Sequence, residues 1–289
     1  MDMGMVSKVQ TWGALIKFSH SVFALPFALS MAVFVAHRRE VLLSQWIWIV
    51  VALVAARSAA MTFNRIVDRH FDAQNPRTRQ RELPSGKINL QSAQLFLALS
   101  SLVFVISAAA LGLHCLYLSP LVLAVLLLYS LCKRFTTYSH LVLGLSLALA
   151  PGGVWYALTA EFAWLPIPFM CGVLCWVAGF DILYACQDRD FDVSHKLHSI
   201  PAWLGLERAF LVSRALHLLT LMFFCIFGLV AELSVIYFGG LTVFGWFLFD
   251  QHQLVSPKDL SRLDAAFFTR NGFASVVFFG GMWLEHFGR

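Results

Sequence analysis

Nine apolar runs, at roughly 15–36, 41–66, 91–113, 117–133, 140–160, 164–187, 208–231, 233–250 and 267–287, constrain this chain more than any other feature. Each is close to the ~20 residues with which an α-helix crosses the hydrocarbon of a bilayer. A helix suits that medium because it satisfies its own backbone hydrogen bonds. The sequence therefore predicts an all-α, polytopic membrane bundle of about nine transmembrane helices. Of its 289 residues, 59% are hydrophobic and 13% charged, against roughly 45–50% and 25% in soluble domains. A membrane bundle of this size is normally one unit, so residues 1–289 are read as a single domain. The N-terminus carries Asp2, Lys8 and Lys17 and leads into a run long enough to span, which argues against a cleaved signal peptide.

The charges fall on one side. With nine spans, Arg38, Arg39 and Arg289 lie on one face of the membrane. Nearly all other Lys and Arg lie on the opposite face, which the positive-inside rule makes cytoplasmic along with the N-terminus. The net charge of +5 thus reports topology and does not indicate a nucleic-acid partner.

Two acidic motifs close apolar runs on that basic face. The first is Asn64-Arg65-Ile66-Val67-Asp68-Arg69-His70-Phe71-Asp72. If the helix continues past Phe63, then Asn64, Asp68 and Asp72 share one face at steps of about 6 Å. The arginine-rich loop from Asn75 to Gly86 follows directly. The second motif, Asp181 to Asp192, lies about 120 residues on. On a continuous helix Asp181, Asp188 and Asp192 share a face and Asp190 points elsewhere. Carboxylate pairs beside arginines can hold Mg²⁺ and a diphosphate together. Magnesium takes one or two carboxylates plus phosphate oxygens, and arginine grips phosphate bidentately. Aspartate is expensive near a bilayer, so two such motifs weigh against mere solvated helix ends.

Arg57 is the one cation set deep in an apolar run, seven residues before Asn64 and so on the same helical face. An intramembrane arginine faces a cavity or a structural carbonyl. His20, in the first run, has two equal readings, a cavity residue or a hydrogen-bonded bundle residue, and Pro26 marks a kink. Phe23, Phe63, Trp155, Tyr156 and Tyr184 are candidates for a greasy channel. Six scattered cysteines, including Cys171 and Cys175 at helical spacing, read as buried structural residues. No phosphate-binding glycine loop, zinc-protease or serine-hydrolase signature occurs. Paired carboxylates in membrane helices also serve ion-coupled transporters. Their position at span ends beside arginines, with no obvious inverted repeat, favours an enzyme over that alternative.

The motifs resemble those of the UbiA superfamily of intramembrane prenyltransferases. Asn64, Asp68 and Asp72 match its NxxxDxxxD pattern, and Arg77, Thr78, Arg81, Leu83, Pro84 and Gly86 match RTxxRxLPxG. Asp181, Tyr184, Asp188 and Asp192 match D…YxxxDxxxD. Within the superfamily, the phrases HSVFALPFAL and YACQDRDFD are most similar to the 4-hydroxybenzoate polyprenyltransferase-like branch, which includes the futalosine-pathway menaquinone type. The resemblance implies helices around a central cavity that opens to lipid, in the cell (inner) membrane with its active-site opening cytoplasmic. It implies transfer of a polyprenyl group from its diphosphate to a ring carbon of a hydroxylated aromatic acid, in quinone biosynthesis. Mg²⁺ on Asp68, Asp72, Asp188 and Asp192 would offset the leaving charge, with Asn64, Arg77, Arg81 and Tyr184 in the substrate site. Arg57 would bind the acceptor carboxylate, and Asp181 would orient the acceptor or take its proton. After the second motif the family's DxxxG-hydrophobe-KS reads Asp192-Val193-Ser194-His195-Lys196-Leu197-His198-Ser199. Lys196 or His198 then stands for the family lysine.

Overall fold

The structure, a computed structural model, describes residues 5–17 and 21–288, with side chains for 10–17 and from Leu25 onward. The expectations for His20 and Arg289, and for the Phe23 side chain, therefore lie outside what is described. The described chain is almost wholly helical. Its helices are α1 (Met5–Leu15), α2 (Ser21–Ala36), α3 (Leu43–Gln74), α4 (Leu90–Leu111), α5 (Leu113–Leu128) and α6 (Ser139–Thr159). They continue with α7 (Pro166–Ala185), α8 (Arg189–Ser194), α9 (Ile200–Leu204), α10 (Leu206–Val230), α11 (Val235–Leu254) and α12 (Asn271–Phe287).

Among the described residues, six stretches are long and apolar enough to cross a membrane: Leu43–Gln74, Leu90–Leu111, Leu113–Arg134, Ser139–Thr159, Pro166–Ser194 and Leu206–Val230. The other three expected spans do not meet that measure. Helices α2 and α12 have 16 and 17 residues, and α11 ends in Asp250, Gln251 and His252. The expected first span, 15–36, is divided, because α1 stops at Leu15 and α2 starts at Ser21. Pro26 lies inside α2.

The chain forms two compact units. Unit 1 comprises Met1–Ser21 and Ile47–Leu131, and unit 2 comprises Val22–Trp46 and Cys132–Arg289. In unit 1, α1 lies over the end of α3 and the start of α4, where Leu15, Ile66, Ile88 and Ala93 form a buried cluster with Trp12 and Leu83 against it. The Trp12 and Phe96 rings meet at 4.9 Å. On α4 and α5, Leu95, Leu99, Leu102, Leu113 and Leu121 are exposed, as lipid-facing residues are.

Unit 2 is built around α7. It packs against α6 and α10, and the core is aromatic. The Phe27 ring, fully buried, lies 4.7 Å from Trp176, 5.1 Å from Phe278 and 5.7 Å from Phe224, which it stacks. Trp176 Nε1–H donates to Asn271 Oδ1 (3.1 Å), and Asn271 Nδ2–H donates to the Phe267 carbonyl (2.9 Å). That amide thus ties the wide π-helical turn Ala265–Arg270 into α12. The α11 and α12 backbones touch at Gly240 and Gly281, where a methyl on either glycine would meet the other's Cα at 3.1 Å. At the far end of α12, buried Glu285 accepts from Ser234 N–H (2.8 Å), Ser234 O–H (2.5 Å) and Tyr237 N–H (3.3 Å), satisfying the first turn of α11. All six cysteines are free thiols.

Candidate active site

Helix α3 has 32 residues, about 48 Å at 1.5 Å per residue, and so outruns the ~30 Å hydrocarbon layer. Its last turns carry the first motif clear of the apolar region. Because the helix is unbroken to Gln74, Arg57, Asn64, Asp68 and Asp72 are stacked on one face. Asn64 Nδ2–H donates to Asp68 Oδ2 at 2.9 Å. Asp72 is buried, with Oδ1 accepting from Arg81 Nη1–H at 2.7 Å. Its second oxygen, Oδ2, is buried with no hydrogen-bond partner.

The loop after α3 is folded back onto it. Asn75 Oδ1 accepts the Arg77 N–H (2.9 Å), and the Thr78 hydroxyl donates to the Asp72 carbonyl (3.1 Å). Arg81 N–H then donates to Thr78 O (2.9 Å), and Gly86 turns the chain toward α4 at φ +74, a conformation that favours glycine. This explains the pattern of Arg77, Thr78, Arg81 and Gly86. Thr78 seals the helix end, Arg81 holds the carboxylate, and Arg77 stays exposed.

Arg65 is buried as well. It is 2% exposed, and its Nε–H donates to the Leu15 carbonyl at 3.4 Å. A helix presents every third or fourth side chain to the same neighbour, and α1, which covers this one, carries no long apolar run to announce it. Arg57 itself has a buried Nε–H without a hydrogen-bond acceptor. Lys17, in the break between α1 and α2, is pushed down to about 8 by burial and then by Arg65, Arg81 and Arg77. Four cations therefore converge on the end of α3 that bears Asp72.

The second motif departs from one continuous helix. Helix α7 ends at Ala185, a 3-10 turn covers Cys186–Asp188, and α8 starts at Arg189. The reason is local. Gln187 Nε2–H takes the Tyr184 carbonyl at 2.8 Å, which an uninterrupted helix would give to Asp188 N–H. A 3-10 turn advances about 20° more per residue than an α-helix, so Asp188 and Asp192 are turned by about 60° against Asp181 relative to a continuous helix. Asp188 and Asp192 are buried, at 9% and 2% exposure, while Asp190 points out and pairs with Arg189. The Tyr184 ring lies on Phe267, centroids 4.1 Å apart.

Two neighbours of this motif, Lys133 and His140, were not singled out by sequence. Lys133 Nζ lies 3.4 Å from Asp192 Oδ2, and the signal for it was a Lys-Arg pair closing a span on the basic face. Lys196 and His198, read as replacements for the family lysine, are both exposed, Lys196 at φ 54. His198 N–H donates to the Lys133 carbonyl (2.7 Å). Asp181 Oδ2 pairs with His140 Nδ1 at 2.6 Å, and His140 Nε2 accepts the Ile200 N–H at 3.3 Å. Trp155 and Tyr156, candidates for the channel, belong to the opposite end of α6. There Tyr156 stacks on Phe162 and Trp155 donates to the Glu161 carbonyl.

Among the described residues, no three His, Cys, Asp or Glu side chains form a ready metal cluster. Each motif instead presents a carboxylate pair, which Mg²⁺ completes with phosphate and water oxygens. The unpartnered buried Oδ2 of Asp72 is an oxygen of the kind such an ion takes. The donor set fits.

Comparison with known proteins agrees with this chemistry. The model of the UbiA prenyltransferase family matches residues 24–276. A 4-hydroxybenzoate octaprenyltransferase of Shewanella piezotolerans is 28% identical over 248 residues, 82% of each chain. One from Francisella tularensis subsp. novicida is 26% identical over 232 residues, 79% of this chain and 80% of that protein. Among solved structures, a UbiA homolog from Aeropyrum pernix K1 superposes with a TM-score of 0.83 at 32% identity, covering 92% of this chain and 97% of that one. The fold is also that of a UbiA homolog from Archaeoglobus fulgidus bound to GPP and Mg²⁺, with a TM-score of 0.78 at 18% identity over 95% and 99% of the chains. Matched along most of its length by the family's model, this chain belongs to the UbiA prenyltransferase family.

Proposed function

We propose that this protein is a Mg²⁺-dependent 4-hydroxybenzoate polyprenyltransferase-like enzyme of respiratory quinone biosynthesis. It transfers a polyprenyl chain from its diphosphate to a ring carbon of a hydroxylated aromatic acid. The observation that carries this reading is Asp72, whose two buried oxygens are divided between Arg81 and no partner, in one helical row with Asn64 and Asp68. Residues 1–289 act as a single domain with nine spans, supported by a family match that runs through both units. The basic face makes the site open to the cytoplasm, at the inner membrane.

Asp68, Asp72, Asp188 and Asp192 would hold Mg²⁺, which when bound would supply positive charge against the diphosphate. Arg77, Arg81 and Lys133 bind the diphosphate oxygens, with Asn64, Lys196 and His198 at the edges of the same chemistry. Heterolysis of the C–O bond sends its electron pair to the diphosphate and leaves an allylic cation. The Tyr184 face stabilises that cation and excludes water. An acceptor ring carbon then forms the new C–C bond, with its carboxylate on the Arg57 guanidinium, and the displaced ring proton passes to Asp181.

The test is direct. Purified protein is incubated with Mg²⁺, a polyprenyl diphosphate and a panel of hydroxybenzoates and dihydroxynaphthoates, and products are identified by mass. Prenylated acid is expected, with none in chelator and a fall of about 10² or more for Asp68→Asn or Asp188→Asn. Full activity in chelator removes the metal. Absence of any prenylated acid, with solute or ion flux in vesicles, removes the enzyme.

A further inference from the structure

The ring of His140 is fully buried, one residue into α6, and hydrogen-bonded at both nitrogens. Its Nε2 lies 3.3 Å from the Ile200 N–H, which can only donate, so Nε2 carries no proton. A neutral ring must then carry its proton on Nδ1, and Nδ1–H donates to Asp181 Oδ2 at 2.6 Å. Three elements of unit 2 thus meet in one chain of bonds, from the α9 backbone through the α6 imidazole to the α7 carboxylate. The chain ends on a side chain that is still 24% exposed.

We infer that His140 is a positioning residue: held in one tautomer by the Ile200 N–H, it aims the open oxygen of Asp181 at the aromatic acceptor. The role rests on the proposed function. A carboxylate that is to receive a proton must be oriented, and a hydrogen bond from a rigid, buried ring orients it. The acceptor class follows from the geometry. With one Asp181 oxygen taken by His140, the other is left to accept from a phenolic O–H before bond formation and a ring proton after it. An acceptor without a hydroxyl gives up the first of these interactions. The ring proton leaves on Asp181 and is then released to water, so the step needs no further reactant.

The experiment compares His140→Phe, His140→Asn, Asp181→Asn and the double variant His140→Phe/Asp181→Asn in the assay above, with both substrates varied. His140→Phe is expected to lower acceptor kcat/KM by about 10–100-fold, the loss of a hydrogen bond to a charged group. The KM for prenyl diphosphate should stay within about twofold, as no diphosphate contact is removed. His140→Asn, which keeps an amide N–H near the Nδ1 position, recovers part of the loss. In the Asp181→Asn background, His140→Phe costs little more, as coupled residues require. Proton–nitrogen NMR of histidine-labelled protein in detergent should show His140 protonated at Nδ1 only, with the shift altered in Asp181→Asn. Equal loss for both substrates, additive losses in the double variant, or a proton on Nε2 would each overturn the positioning role. If the wild-type protein forms no prenylated product, the proposed function falls. The NMR result then decides the His140–Asp181 pairing on its own.

Discussion

Lys133 faces Asp192 across 3.4 Å, and the carbonyl of the same lysine accepts the N–H of His198 at 2.7 Å. One residue at the end of the 3-10 turn Tyr129–Arg134 therefore anchors both the second motif and the loop that follows it. Its ammonium puts a cation beside Asp192.

Lys133→Ala should accordingly raise the KM for polyprenyl diphosphate by about tenfold, a charged hydrogen bond's worth. Lys196→Ala and His198→Ala, at exposed positions, should each change it by less than about threefold. Steady-state kinetics with the diphosphate varied ranks the three. A larger loss at Lys196 or His198 would return the family lysine's role to the loop.

Lys17 gives a pH signature. Its pKa is lowered to about 8 by burial and by Arg65, Arg81 and Arg77. Below that pH the ammonium is present and favours an anion. As pH rises through it, the charge is lost and the KM for prenyl diphosphate should climb. A bound diphosphate raises the pKa in the complex, so kcat should fall off at higher pH than kcat/KM. Lys17→Arg, charged throughout, should flatten the rise. An unchanged rise in that variant would assign the titration elsewhere.

Arg57 has a buried Nε–H with no acceptor. Arg57→Ala should raise the KM for the aromatic acid by about 10–100-fold while leaving that for the diphosphate within about twofold. An acceptor analogue lacking its carboxylate should be used equally well by wild type and variant. Discrimination against the analogue that survives in the variant would place the carboxylate on another residue.

Glu285 caps the first turn of α11. Glu285→Ala removes three hydrogen bonds from the start of α11 and should cost about 2–4 kcal/mol, the price of leaving buried donors unmet. Thermal unfolding in detergent should show a lowered Tm, with kcat/KM at low temperature unchanged. An unaltered Tm would mean that water replaces the carboxylate.

The sequence made the helical membrane class and both aspartate motifs legible because each follows from a local pattern. Apolar length specifies a span, and four-residue spacing specifies a face. The first motif met that logic in full, since nothing interrupts α3 before Gln74. The second met it only in part, because a 3-10 turn over Cys186–Asp188 interrupts the helix and shifts its phase. Lys133, His140 and Arg65 were opaque for another reason. Their partners Asp192, Asp181 and Leu15 are far away in the chain, and no periodicity reports a contact between distant segments.

The Phe27 ring has consequences for how the polypeptide is made. Its partners Trp176, Phe224 and Phe278 are the last two-fifths of the molecule, while α2, which carries it, is synthesised near the beginning. The larger part of unit 1, Ile47–Leu131, falls between them in the chain. A ribosome therefore completes unit 1 while α2 still waits, inserted but uncored, for helices yet to be translated. Contacts of such long sequence separation form late. Truncation anywhere before α12 would leave an exposed aromatic surface in the bilayer for quality-control proteases to recognise.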